Sequence, residues 1–236
     1  IIDINAKTGL YPLHAAMSLY YQYVQNNDDN RFDADSVYRG ILENNIYAIA
    51  KTPMAKTITE RTLAGYKKFK TNVAYIENFS NTLKSSVEEG KKLVEEAFEK
   101  VKFDVVIGNP PYQESTNDKT MRAGQQKRVR NVFQDFQLVA DVVARNFSCL
   151  IYPGGRWIHR SGKGMTEFGL NQINSPHLTK LFYYPKADEI FKDVAIGDGI
   201  SVVVKDFSKG NSQFEYIYSE DGNEQIELID SPGEKL

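Results

Sequence analysis

Four consecutive residues, Asn109-Pro110-Pro111-Tyr112, follow directly on the run Phe103-Asp104-Val105-Val106-Ile107-Gly108. That run reads as a buried strand, and the carboxyl end of a parallel strand is where open α/β sheets bind ligands. Each proline fixes φ and removes a backbone donor, so the turn is rigid and rich in acceptors: main-chain carbonyls and the Asn109 amide. The plainer reading is a stiff strand-to-helix turn without chemical purpose, although Gly, Asp or Ser would make a simpler one. Upstream, Asp3-Ile4-Asn5-Ala6-Lys7-Thr8-Gly9 joins a strand to a helix. Residues 119–130, KTMRAGQQKRVR, hold five basic residues and no acidic one. Lys119, Arg122, Lys127, Arg128 and Arg130 suit the neutralisation of backbone phosphates. A solvated surface loop is the alternative.

The elements that must position these residues alternate between strand and helix, which predicts an α/β domain with a mainly parallel sheet. Ile1-Ile2 reads as the end of a first strand, followed by a loop from Asp3 to Gly9. Leu13, Ala16, Met17, Tyr20 and Val24 recur at helical spacing after Pro12. Thr52-Pro53 is an N-cap with proline at the first helical position. Further strands are expected at residues 46–49, 73–76, 103–107, 149–152, 178–184, 200–204 and 214–218. Helices are expected around 35–42, from 52 to about 66, at 86–100 and at 132–147. Beyond residue 218 the chain reads as a polar end.

The segment DVVIGNPPYQ, residues 104–113, resembles the catalytic motif of amino-methylating DNA methyltransferases, especially the N6-adenine branch. The resemblance extends from Asp3 to about Phe207 and implies a Rossmann-like S-adenosylmethionine-dependent methyltransferase fold with helices on both faces of the sheet. It implies that Asn109 and the Pro110 carbonyl accept hydrogen bonds from an exocyclic amine, that Pro111 stiffens the turn, and that Tyr112 stacks on a flipped base. Residues 3–9 resemble the family's cofactor loop, with Lys7 in place of its middle glycine. Asp3, Asn5, Thr8, Gly9 and Asn109 are then the expected cofactor contacts, with Glu77 or Asn78 after the third strand at the adenine-contact position; simple polar loop residues are the other reading of that pair. Ala50 and Thr52 stand where the family has ribose-binding acidic residues. Residues 187–204 resemble the region that supplies a second aromatic to the flipped base, which points to Phe191; a place in the core is its other reading. Arg156, His159, Arg160 and Lys163 make a second basic stretch.

By this resemblance the chain is the methylase portion of a type II restriction–modification enzyme: residues 1–210 the methyltransferase domain, 211–236 a terminal strand and linker. Its partners are double-stranded DNA, a target recognition domain after Leu236 and, in some such enzymes, a nuclease domain. The start at Ile1 suggests a piece of a longer polypeptide whose preceding helix lies upstream. Two other readings stand beside it: a degenerate methyltransferase fold serving as a DNA-binding or assembly module, and an enzyme acting on protein glutamine or RNA.

Composition bounds these readings. With 236 residues, 41% hydrophobic and 25% charged, the chain has ample core for one large or two small domains. Its 14 tyrosines and 13 phenylalanines exclude disorder as the main state. No apolar run approaches the length of a membrane span, which with the family resemblance suggests a prokaryotic cytoplasmic protein. One cysteine and three scattered histidines offer no metal-ligand pattern. A net charge of −2 provides no overall attraction to nucleic acid, so binding must be local.

Overall fold

The structure, a computed structural model, describes residues 1–27, 32–115, 129–161, 164–192 and 196–230. The chain divides into two compact units, Ile1–Asn109 with Val139–Ala144, and Pro110–Leu138 with Arg145–Leu236.

In the first unit, β1 (Ile2–Ala6) is buried along its whole length. It lies between two parallel partners, β2 (Tyr47–Ala50) and β4 (Phe103–Gly108), and β3 (Asn72–Tyr75) pairs with β2, giving the order β4-β1-β2-β3 with every pair parallel. Asp3 and Asn5, expected in a loop, are therefore strand residues. Only the flanking strands, remote in sequence, could extend the strand that far.

Helices α1 (Leu10–Asn26), α2 (Ala34–Asn44) and α3 (Pro53–Ala64) surround a core of Ala16, Ile41, Leu42, Ile46, Leu63 and Val73. The start of α3 is as its sequence predicts: the Thr52 hydroxyl accepts from the Ala55 amide at 3.0 Å, and Pro53 occupies the first turn. The short α4 (Phe79–Ser85), polar enough to escape the periodicity reading, precedes α5 (Val87–Phe98), which Ser86 caps through the Glu89 amide.

The second unit opens with the paired strands β5 (Gln113–Ser115) and β6 (Val129–Asn131), which bracket the basic segment. Helix α6 (Phe133–Val143) contributes to both units. It ends four residues before its expected limit, because β7 (Ala144–Pro153) begins there. Phe147 mimics a continuing helical stripe four residues after Val143, but it pairs with Asp206 across a strand ladder. Then come α7 (Gly155–Ile158), α8 (Met165–Ile173), β8 (Leu178–Tyr184), a 3-10 turn at Ala187–Glu189, β9 (Ile200–Asp206), β10 (Gln213–Glu220) and β11 (Asn223–Asp230).

The expectation of a mainly parallel sheet needs correction here. The order β11-β10-β8-β9-β7 is mixed: β7 and β8 are antiparallel to β9, β10 is parallel to β8, and β11 is antiparallel to β10. The expected polar end is β11 itself. Asp221 (φ 54°) and Gly222 (φ 75°) form the two-residue turn that an Asp-Gly pair favours between right-twisted strands. The core of this unit is aromatic: Phe133 stacks on Tyr152 with centroids 4.9 Å apart, and Trp157 and Phe168 pack edgewise against each other. Among the described residues, no helix is long and apolar enough to cross a membrane.

Candidate active site

Because the strands of the first unit are parallel, their carboxyl ends share one edge, where Lys7, Lys51, Glu77 and Asn109 follow β1, β2, β3 and β4. Asp3 and Asn5 are both buried within β1 just before that edge, and the Asp3 carboxylate accepts from the Asn5 amide at 3.0 Å. Burial pushes the Asp3 carboxyl up to about 7, a rise opposed by the Asn5 hydrogen bond and by the Lys7 charge.

The side chain of Asn5 reaches β4 and donates from Nδ2 to the main-chain carbonyl of Asn109 at 2.8 Å. The two motifs, far apart in sequence, are thus joined directly. Gly108 permits this approach: a Cβ there would lie 2.9 Å from Ile4 Cγ1. With its main chain held, Asn109 keeps its side-chain oxygen buried, and among the described residues Oδ1 has no hydrogen-bond partner. A buried acceptor in that condition is costly unless a donor is supplied from outside the chain. Beyond it, Pro110 and Pro111 are buried and Tyr112 is half-buried, its carbonyl accepting from the Val132 amide at 3.2 Å.

The loop after β1 is built around Gly9, in the left-handed region at φ 80°. A Cβ there would sit 3.0 Å from Thr59 Cα and 3.1 Å from its Cγ2, so both conformation and packing call for glycine. The Thr62 hydroxyl donates to the Thr8 carbonyl at 2.6 Å, fixing the loop against α3. Neither threonine of α3 was singled out from sequence, since a polar helix face gives no sign of which loop it meets. Helix α1 starts at this loop without a side-chain cap or an acidic first turn, leaving its positive end available to an anion.

Glu77 and Asn78 are exposed just past β3, and Asn78 takes φ 55° as the residue preceding α4. Phe191 is half-buried, its amide donating to Ala187 at 2.8 Å. Trp157 is wholly buried, and Arg156, beside it, is paired with Asp198 at 3.2 Å. Lys119, Arg122, Lys127, Arg128 and Lys163 lie outside the described residues. Of Arg130 only the main chain, in β6, is described.

A model of the Eco57I restriction-modification methylases matches residues 44–191, well over half of the chain, and includes the Asn109–Tyr112 turn. The chain belongs to that family. Solved structures with which this Eco57I-family chain shares its fold are much larger and distant in sequence. A modification subunit of a putative type I restriction enzyme from Vibrio vulnificus is 12% identical with a TM-score of 0.56, over 94% of this chain and 44% of that one. A nuclease-deletion mutant of the type ISP restriction-modification enzyme LlaGI, in complex with a DNA substrate mimic, is 10% identical with a TM-score of 0.59, over 94% and 22%. A putative class I S-adenosylmethionine-dependent methyltransferase from Listeria monocytogenes is 12% identical with a TM-score of 0.50, over 92% and 58%. No curated protein sequence matches the chain. The family chain therefore spans less than two thirds of the length of each of these structures. The fold it shares with these structures has a sheet that is mixed rather than mainly parallel.

The residues at the strand edge fit a cofactor with an anionic group at the glycine-turned loop that opens α1. They do not reproduce a ribose-binding carboxylate after β2, where the chain reads Ala50-Lys51-Thr52.

Proposed function

We propose that this chain is the catalytic core of a DNA methyltransferase that transfers a methyl group from S-adenosylmethionine to the N6 amine of a flipped adenine. The observation that carries the reading is the Asn109 side chain: its oxygen is a buried acceptor without a partner among the described residues, on a turn whose main chain Asn5 holds. An exocyclic amine is a poor nucleophile because its lone pair is delocalised into the ring. Asn109 Oδ1 and the Pro110 carbonyl, accepting from its two hydrogens, favour a pyramidal nitrogen and return the lone pair to it. As methylation proceeds, positive charge grows on that nitrogen, and the same two oxygens, fixed beforehand, stabilise it. S-adenosylmethionine, when bound, supplies the electrophilic methyl group. Tyr112 and Phe191 are assigned to the faces of the extruded base. Lys119, Arg122, Lys127, Arg128 and Arg130 are assigned to its backbone phosphates. A flanking target recognition domain supplies sequence choice.

The test uses the full-length protein, tritiated S-adenosylmethionine and unmethylated duplex DNA, followed by nucleoside analysis. Label in N6-methyladenine, reduced roughly a hundredfold or more by Asn109→Ala, is expected. Label in ribosomal RNA or a protein glutamine, with none in DNA, would move the assignment to that substrate. A second reading, a methyltransferase fold that binds DNA without turnover, draws on Lys7, Ala50 and Thr52. Saturable binding of S-adenosylmethionine at micromolar concentration would exclude it.

A further inference from the structure

We infer that a bulge in β1 at Ile4–Asn5 positions the catalytic turn, with Asn5 the positioning residue for Asn109 and Asp3 the residue that holds the bulge. The assignment rests on the proposed methyl transfer, and it gives Asn5 a role other than the cofactor contact that the sequence resemblance implies.

Strand register reveals the bulge. From Asp3 to Ala6, β1 advances three residues while its partners on β2 advance two, from Ala48 to Ala50, so β1 holds one extra residue there. Such insertions are rare between parallel strands, and they re-aim a side chain. The Asn5 amide within the bulge is met by the Asp3 side chain at 3.0 Å. Both residues are buried, so leaving that amide without an acceptor would be costly.

The re-aimed side chain is that of Asn5. On the β4 side, Ile2 is level with Val106 and Asp3 with Ile107, and the same step carried two residues further brings Asn5 level with Asn109. There the side chain makes the cross-strand bond, Nδ2 donating to the Asn109 carbonyl at 2.8 Å. The bulged Ile4 lies so close to β4 that a Cβ on Gly108 would meet its Cγ1 at 2.9 Å.

This bond falls where the turn has no other handle. The peptide plane between Asn109 and Pro110 has no N–H, so the Asn109 carbonyl is its only hydrogen-bonding group. The plane between Pro110 and Pro111 likewise offers only the Pro110 carbonyl, which the proposed reaction needs for the substrate amine. Asn109 precedes a proline, and its backbone is already restricted for that reason. A donor on its carbonyl fixes the orientation that is left, and with it the places of Oδ1 and of the Pro110 carbonyl. Asn109 Oδ1 has no partner among the described residues, which leaves its placement to the main chain and to packing. With Nδ2 occupied in this way, Asn5 has no side-chain donor turned to a cofactor.

The test uses the full-length protein, measuring single-turnover methyl transfer to unmethylated duplex DNA and calorimetric titration of S-adenosylmethionine on the same variants, each well below its own melting temperature. Asn5→Ala should lower the rate at saturating cofactor roughly ten- to a hundredfold, the scale for misplacing a reacting group by about 1 Å. The cofactor Kd should stay within about threefold of wild type, less than the loss of a direct contact would cost. In an Asn109→Ala background the same Asn5→Ala change should cost a smaller factor, because one of the groups it places has gone. Asp3→Asn, which retains an acceptor for the Asn5 amide, should recover most of the rate that Asp3→Ala loses. A weakened Kd with an unchanged rate at saturating cofactor makes Asn5 a cofactor contact and overturns the inference. Equal factors in the two Asn109 backgrounds overturn it too, and both outcomes leave the methyltransferase reading standing. Should Asn5→Ala fail to fold, the two Asp3 variants decide, and equal losses in them overturn the inference. A wild type that binds S-adenosylmethionine yet methylates no DNA overturns the reading and the inference together.

Discussion

Replacing Asp3 by Asn should stabilise the first unit, by an amount that grows with pH. The carboxyl is raised from its ordinary 3.8 to about 7 by burial. At about 1.4 kcal/mol for each pH unit of that gap, the difference corresponds to about 4 kcal/mol as an upper limit. The sign follows from proton uptake. Between pH 4 and 7 the folded chain holds a proton on Asp3 that the unfolded chain has released, so the wild type loses stability as pH rises. The favourable contribution is complete below pH 3.8 and is lost by about pH 7.

Asn keeps an oxygen able to accept from the Asn5 amide, and it does not ionise. The stability of Asp3→Asn relative to wild type should therefore climb from near zero at pH 4 to a plateau above about pH 7. Urea denaturation at half-unit steps of pH, followed by far-UV circular dichroism, measures it. Tryptophan emission would report the wrong unit, since the sole tryptophan, Trp157, lies in the second. A difference independent of pH, or a wild type that gains on the variant as pH rises, would refute the reasoning. The second outcome would mean that Asp3 is held as a paired carboxylate.

Asn5→Ala should leave the Asn109 carbonyl without its donor and loosen the catalytic turn, costing about 1–3 kcal/mol. Methyl transfer should fall with kcat affected more than the KM for cofactor, as steady-state kinetics would show. Gly9→Ala forces a side chain into the left-handed region against Thr59, and calorimetry should record a loss of about 1–3 kcal/mol. Tyr152→Phe strips the buried Gln137 side-chain oxygen of a hydrogen bond at 3.0 Å, at about 1–3 kcal/mol. In Tyr152→Phe/Gln137→Leu the urea midpoint should recover part of that loss.

The local elements were legible where their signals are local. Thr52-Pro53 announced α3, the apolar run at 178–184 announced β8, and two prolines after an apolar run announced that β4 ends before Asn109. These rest on capping, on side-chain periodicity and on the restriction of φ, none of which needs a distant partner. What misled the reading was non-local. The helical spacing of Phe147 was a coincidence that β9 resolves. The antiparallel direction of β9 depends on which strands it lies between. The polar end became β11 because β10 offers it a ladder.

The same division holds at the candidate site. Residue types and the rigid turn marked Asn109 as worth attention, while the family resemblance marked Asp3 and Gly9 and set Lys7 apart from the pattern. Only the tertiary structure joined Asn5 to the Asn109 carbonyl, buried Asp3 until its carboxyl favours its proton, and set Lys51 beside Lys7. Burial and strand register are properties of the assembled sheet. A linear sequence specifies which groups can donate, accept or carry charge, while the distance between two of them is decided by the strands that come to lie side by side.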